Sequence, residues 1–202
     1  MIKSSPSRQK APDIIAVAVR RRVHACGVRL CGMVALAALG TLACVSPVRA
    51  ELGLSDLQVM ARVTGFLEPP LRGVVPFGIV YPAGSITGHG EGRRLLALLN
   101  DSLAAGAVVL RPEMITFDEA ISGRFPVLLL TEAMAPQAPD LARSLRGSGV
   151  LTMSSAPTLV NDGLAVLAVR SHPRVEIFVS RKAAHSSGIF FANAFRMMIQ
   201  ER

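Results

Sequence analysis

RFPVLLLTEAMAPQAPDLARSLRGSGVLTMSS, residues 124–155, contains two short apolar runs separated by one amphipathic segment. The first run, 127–130, is continuously apolar, as suits a strand covered on both faces of a parallel sheet. The chain then passes Thr131, Glu132 and two prolines before Leu141 and Leu145, whose spacing puts them on one helical face. Gly147 and Gly149 stop that helix, and the second run, 150–153, ends in Ser154 and Ser155. Strand, helix and strand at this spacing is a βαβ unit, whose crossover brings both strand ends to the same rim. Open α/β sheets bind their ligands at that rim. Thr131, Glu132, Ser154 and Ser155 are therefore expected to lie together, and Tyr81, at the end of an earlier strand, is expected to join them as a candidate ligand-binding residue.

Outward from this unit, the N-terminal fifty residues do not read as part of a domain. Residues 1–29 are polar and basic, with Arg20, Arg21, Arg22 and Arg29 preceding an uncharged Ala- and Leu-rich run at 30–45. Ser46, Pro47, Val48, Arg49 and Ala50 follow, and Val48 with Ala50 is the small pair that a signal peptidase accepts. The expectation is an export signal over 1–50, cut after Ala50, and a periplasmic domain over 51–202. Two alternatives stay open: a retained membrane anchor, and lipid attachment at Cys44 after Thr41, Leu42 and Ala43.

Removing residues 1–50 changes the electrostatics. Of the 22 Lys and Arg, eight lie before the cut, and of the 14 Asp and Glu only Asp13 does, so the remainder carries 14 − 13 = +1. The basic excess belongs to the targeting segment, and nucleic-acid binding loses its main support. Cys26, Cys31 and Cys44 all lie before the cut as well. The expected mature domain has no disulfide, thiol nucleophile or Cys-ligated metal, and its 152 residues can bury one core without staples.

Along that domain, Ser55 and Asp56 begin a helix that Pro69 and Pro70 end, and 74–81 reads as a strand. A glycine-rich loop over 83–92 should lead into a helix with Leu95, Leu98, Leu99 and Leu103 as its buried stripe, stopped by Gly106. A short strand at 107–110 and a turn capped by Asp118 precede the βαβ unit. After it, 157–160 makes one helical turn, Asn161, Asp162 and Gly163 reverse the chain, and 164–169 with 175–179 form an antiparallel hairpin at the sheet's edge. A helix over 182–187 ends at Gly188, and an amphipathic helix carrying Ala194, Phe195, Met198 and Ile199 closes the chain. The fold class is α/β: one small domain, mainly a parallel sheet with flanking helices and a C-terminal antiparallel hairpin.

Catalytic constellations are weak. Gly88, His89, Gly90, Glu91 and Gly92 with Arg93 and Arg94 could hold an anion at a helix start, but the glycine spacing is not that of a dinucleotide site. His89, His172 and His185 have no second ligand at metal spacing, and Ser154 and Ser155 lack a Gly-x-Ser-x-Gly elbow. No catalytic residue, metal or cofactor is implied.

LARSLRGSGVLTMSS followed by DGLAVLAVRSHPRVEIFVSRKAAHSSG resembles the YfiR family of periplasmic regulators. Thr152 and Ser154 match that family's Thr-x-Ser strand end, Gly163 its hairpin glycine, and Val175, Glu176, Ile177, Ala183 and Ala184 its second strand and Ala-rich helix. The chain departs from the pattern in having no Trp, no cysteine after residue 50, and Ser155 where the family often carries Asp. The resemblance implies an exported α/β protein without catalytic activity that binds the periplasmic part of an inner-membrane diguanylate cyclase or sensor kinase. Phe195, Met197 and Met198 are the expected partner contacts, and a homodimer is compatible with the same reading. The contrary class is a small-ligand domain like one lobe of a solute-binding protein.

Overall fold

A computed structural model describes residues 51–197 and 199–201, which fall in one compact unit. The expected export signal, with Cys44 and the cut after Ala50, lies outside the described residues, as does Met198. No helix among the described residues is long and apolar enough to cross a membrane.

The chain runs α1 (Leu54–Val63), β1 (Gly73–Val80), α2 (Ile86–Leu99), β2 (Leu103–Ala105), β3 (Val108–Ile115), α3 (Phe117–Ala120) and β4 (Val127–Leu130). It continues through a 3-10 turn at Glu132–Gln137, α4 (Ala138–Ser144), β5 (Leu151–Ser154), α5 (Pro157–Asn161), β6 (Leu167–Arg170), β7 (Glu176–Val179), α6 (Arg181–Ser187), α7 (Asn193–Arg196) and β8 (Gln200–Glu201). One sheet holds all the strands in the order β2-β3-β1-β4-β5-β6-β7-β8. β3, β1, β4, β5 and β6 are parallel, while β2 and the β6–β7 hairpin are antiparallel. The α/β class, the parallel centre and the C-terminal hairpin are as the sequence predicts. Between β1 and β4 the strand order reverses direction, which makes their carboxyl ends the topological switch point.

Both sheet faces are covered, which explains why β4 and β5 are buried at every position and apolar except for Thr152 and Ser154. Leu57, Met60, Leu95, Leu99 and Phe195 pack with Phe77, Ile79, Leu129, Leu151 and Leu167 on one face. Phe125, Met134, Leu141, Leu145, Leu159 and Val160 pack with Leu128, Leu130 and Ala168 on the other. Gly78 lies in β1 because a Cβ there would stand 2.3 Å from Ile115 Cδ1 and 2.9 Å from Leu128 Cδ2, both on flanking strands. Pro76 is tolerated within β1 because β4 joins that strand only from Phe77 onward.

Several expectations are corrected. The glycine-rich segment is not a loop: Ser85 caps α2 by accepting Gly88 N–H at 3.0 Å, and 88–92 are helical. Gly88 and Gly92 share the buried face with Leu95 and Leu99, and their lack of a side chain lets the helix come close. A Cβ on Gly88 would meet Pro82 Cδ at 2.8 Å and Ala133 Cβ at 3.0 Å, and one on Gly92 would meet Met114 Cε at 2.9 Å. Close packing thus offsets a helix cost of about 1 kcal/mol per glycine. Leu103, expected in the same helix, lies in β2 and pairs with Leu110, and the strand expected at 107–110 extends to Ile115.

The turn before β4 is capped by Thr116 rather than Asp118, with Glu119 accepting Thr116 N–H at 2.7 Å. At the C-terminus the amphipathic helix is only four residues long, and the chain then forms β8 beside β7, so β8 rather than the hairpin is the sheet's edge. Burial of Phe195 against Phe66 and Phe191, with ring centroids 5.2 and 5.0 Å apart, anchors this segment before it turns back to the sheet.

Candidate functional site

The βαβ unit brings the expected rim residues together. Leu130 pairs with Ser154, so the next residues of both strands, Thr131–Glu132 and Ser155, emerge side by side. Their roles differ. Thr131 is fully buried and its hydroxyl donates to Val80 carbonyl at 2.9 Å, tying the end of β4 to β1. Ser154 is also buried, and its Oγ accepts Ala156 N–H at 2.9 Å, turning the chain into α5. These two hold the rim in place, leaving Glu132 and Ser155 to face the opening.

Glu91, which the sequence reading placed in a loop without a role, organises that opening. Its carboxylate accepts Glu132 N–H at 3.0 and 2.9 Å and Ser155 Oγ–H at 3.0 Å. The carboxylate reaches over the ends of β4 and β5 because α2 packs close through Gly88 and Gly92. Arg94, one turn on, donates to Leu52 carbonyl at 3.0 Å and sits 3.8 Å from Glu51. The anion site considered at 88–94 is therefore overturned: Ser155 and the Glu132 amide meet a carboxylate, and Arg94 is turned toward the start of α1.

A second carboxylate frames the other side. Asp56, in the first turn of α1, is buried; its Oδ2 accepts Gly53 N–H at 2.8 Å and its Oδ1 accepts Ser171 N–H at 2.6 Å. The first bond caps the helix, where negative charge is favoured. The second fastens the helix to the turn between β6 and β7, whose Ser171 Oγ lies 3.0 Å from His172 Nδ1.

Between these two carboxylates lies a cleft of about 420 Å³, lined by Leu52, Asp56, Glu132, Ser155, Thr158 and Ser171 among others. A continuation of about 320 Å³ shares Glu51, Leu52, Glu132 and Ser155 with it and runs along α2 past Glu91 and Arg94. Both volumes lie in the range of small-molecule sites, roughly 300–1,000 Å³. The walls mix Leu52, Pro157 and Val169 with hydroxyls and charged groups. Tyr81 is not part of it: its ring stands edge-on to His89 at 5.4 Å and borders a separate hollow with Ser85, Ile86 and Thr116.

The expected partner surface is also divided. Phe195 is 1% exposed and belongs to the core, so it cannot be a docking residue in the folded domain. Met197 is 87% exposed and Phe190 54%, while Phe191 is buried and bridges to Leu67. Asp56 and Glu91 were missed as site residues because their partners lie 115 and 41 residues away in sequence. A signal was present for Glu91: Gly88 and Gly92 stand four apart ahead of Leu95 and Leu99, marking one small-residue helix face with an acid beside it. The chain matches no protein-family model and no curated protein.

Proposed function

We propose that this chain is an exported, non-enzymatic regulatory domain that binds a small polar ligand in the strand-end cleft and passes its occupancy to the periplasmic part of an inner-membrane sensor or cyclase. The observation that carries this reading is the cleft itself, at the carboxyl ends of parallel strands and walled by three separate chain segments. Those segments are the start of α1, the rim of β4 and β5 running on into α5, and the β6–β7 turn. Asp56 links the first of them to the third through Ser171. A ligand seated against Glu132, Ser155 and Thr158 would press on both and shift the hairpin turn relative to the helix. That is a route from occupancy to a surface a partner can read. Regulation by a membrane partner also draws on the resemblance to the YfiR family. The wholly ligand-centred alternative, a lobe that delivers its solute to a permease, rests on the same cleft. Neighbouring genes separate the two: a membrane cyclase or histidine kinase favours regulation, and a permease with an ATPase favours uptake.

Thermal unfolding tests the ligand claim. Thr158 is exposed on α5 at the cleft wall, so Thr158→Trp should fill the space while leaving the core alone. A ligand at a hundred times its Kd stabilises the native state by about 2.7 kcal/mol, a rise of roughly 5–10 °C in Tm for a domain of this size. Screening polar small molecules should find one that gives such a rise with the native chain and none with Thr158→Trp. Equal stabilisation of both proteins, or no stabilising molecule across the screen, would refute it.

A further inference from the structure

A hollow of about 400 Å³ lies at the amino ends of β1 and β3, the opposite end of the parallel strands from the cleft. Three segments build it: the end of α1 with the turn after it, residues 70–72 leading into β1, and the tight connection from β2 to β3 at 105–108. Gly73 pairs with Val108 and its N–H donates to Ala107 carbonyl at 2.8 Å, which ties the second segment to the third. Phe66, Pro70, Leu71 and Val108 give the hollow an apolar wall. Phe66 is stacked on Phe195 with ring centroids 5.2 Å apart, so that wall is fixed before any ligand arrives.

The ionisable lining is Arg62 and Arg72, both exposed. Neither guanidinium meets a carboxylate or any other hydrogen-bond partner among the described residues, whereas Arg94, Arg124, Arg143, Arg170 and Arg174 each meet a carboxylate. Asp56 and Glu68, the acids nearest to the two arginines in sequence, are not in the lining, and Asp56 is committed to Gly53 and Ser171. From this arrangement we infer that the hollow is a binding site for a small amphiphilic carboxylate, its head between Arg62 and Arg72 and its apolar body against Phe66 and Leu71. Each guanidinium offers paired N–H groups that match the two oxygens of a carboxylate. The wall removes the body from water, at about 0.8 kcal/mol for each CH2 buried. A cation of the same shape meets two positive charges, and a neutral carboxamide presents a single, weaker acceptor. This inference stands apart from the cleft and does not depend on the function proposed for it.

The test is an amide-resolved NMR titration with hexanoate, and with hexanamide, hexylamine and acetate as probes that lack the charge, reverse it or lack the apolar body. Hexanoate should shift the amides of Phe66, Leu71, Arg72 and Val108, and should bind at least about tenfold more tightly than each of the other three. Arg62→Gln and Arg72→Gln should each weaken hexanoate by about tenfold and leave hexanamide unchanged. Arg111→Gln removes the same charge from an exposed position of β3 outside the lining, and should leave hexanoate binding as it is in the native chain. Hexanamide, hexylamine or acetate binding as tightly as hexanoate, shifts confined to other parts of the domain or absent altogether, or undiminished hexanoate binding by either folded lining variant would overturn the inference. So would an equal loss in Arg111→Gln. If the lining variants do not fold, the ranking of the four probes on the native chain decides alone.

Discussion

Replacing Glu91 by Ala should loosen the strand-end rim without unfolding the domain. The carboxylate is half-buried and holds two donors, the Glu132 amide, which both oxygens share, and the Ser155 hydroxyl. Ser155 Oγ can fall back on Leu130 carbonyl, already 3.3 Å away, so the amide carries most of the loss. A hydrogen bond to a charged group contributes about 1.5–3 kcal/mol net, and water reaching this half-open position reduces that to about 1–2 kcal/mol. With a urea dependence of roughly 2 kcal/mol/M, the unfolding midpoint should fall by about 0.5–1 M. The local readout is sharper. Hydrogen exchange at the Glu132 amide should accelerate by roughly 5- to 30-fold, while amides at the centre of β4 follow only the global change. Glu91→Gln, which keeps one carbonyl acceptor but presents a carboxamide NH2 in place of the second oxygen, should fall between the native and Glu91→Ala proteins. Unchanged exchange at Glu132 in a folded Glu91→Ala protein would refute the idea that this carboxylate organises the rim.

Asp56→Asn should cost about 1–2 kcal/mol in urea unfolding, because the Gly53 and Ser171 N–H groups meet different carboxylate oxygens and in Asn one of those positions becomes an NH2 donor; exposed Asp118→Asn should stay within about 0.5 kcal/mol of the native value. Gly78→Ala should cost about 1–3 kcal/mol through the clash with Ile115 and Leu128, and adding Ile115→Val, which removes the nearer methyl, should recover part of it in a double-mutant cycle. Glu119 is held below its ordinary value of 4.5 first by the Thr116 amide and then by the Thr116 hydroxyl. Its contribution is therefore fully present above that ordinary value and is lost as pH falls through the lowered one, so amide protection in α3 should drop on acidification below about pH 4.5, and Glu119→Gln should abolish this dependence.

The central fold was readable where sequence signals are local. Residues 127–130 announce a buried strand by continuous apolarity and the run 150–153 does so with only Thr152 interrupting it, while Gly147 and Gly149 mark the stop between them, both at positive φ. Reading failed where a distant contact reverses a local preference. Glycines at 88 and 92 look like a loop until Pro82, Ala133 and Met114 are known to press on the helix. Ile199 and its neighbours have helical spacing, yet strand β8 forms because β7 offers an unpaired edge. Of the site, the rim was readable and its frame was not. The apolar runs and the βαβ rule place Thr131, Glu132, Ser154 and Ser155 together, whereas the two carboxylates that shape the cleft come from helices whose approach is set by tertiary packing. Tyr81 was misplaced for the same reason: the rim is continuous, but His89 and the start of α2 draw its ring into a different hollow.

The most direct measurement of the central claim is an amide NMR titration of the native chain with a library of polar small molecules, followed by the same titration of Thr158→Trp. The account predicts that shifts gather on Glu132, Ser155, Thr158, Ser171 and His172 in the native chain and vanish in Thr158→Trp. Absence of shifts at these residues, or a pattern that Thr158→Trp leaves intact, would contradict it.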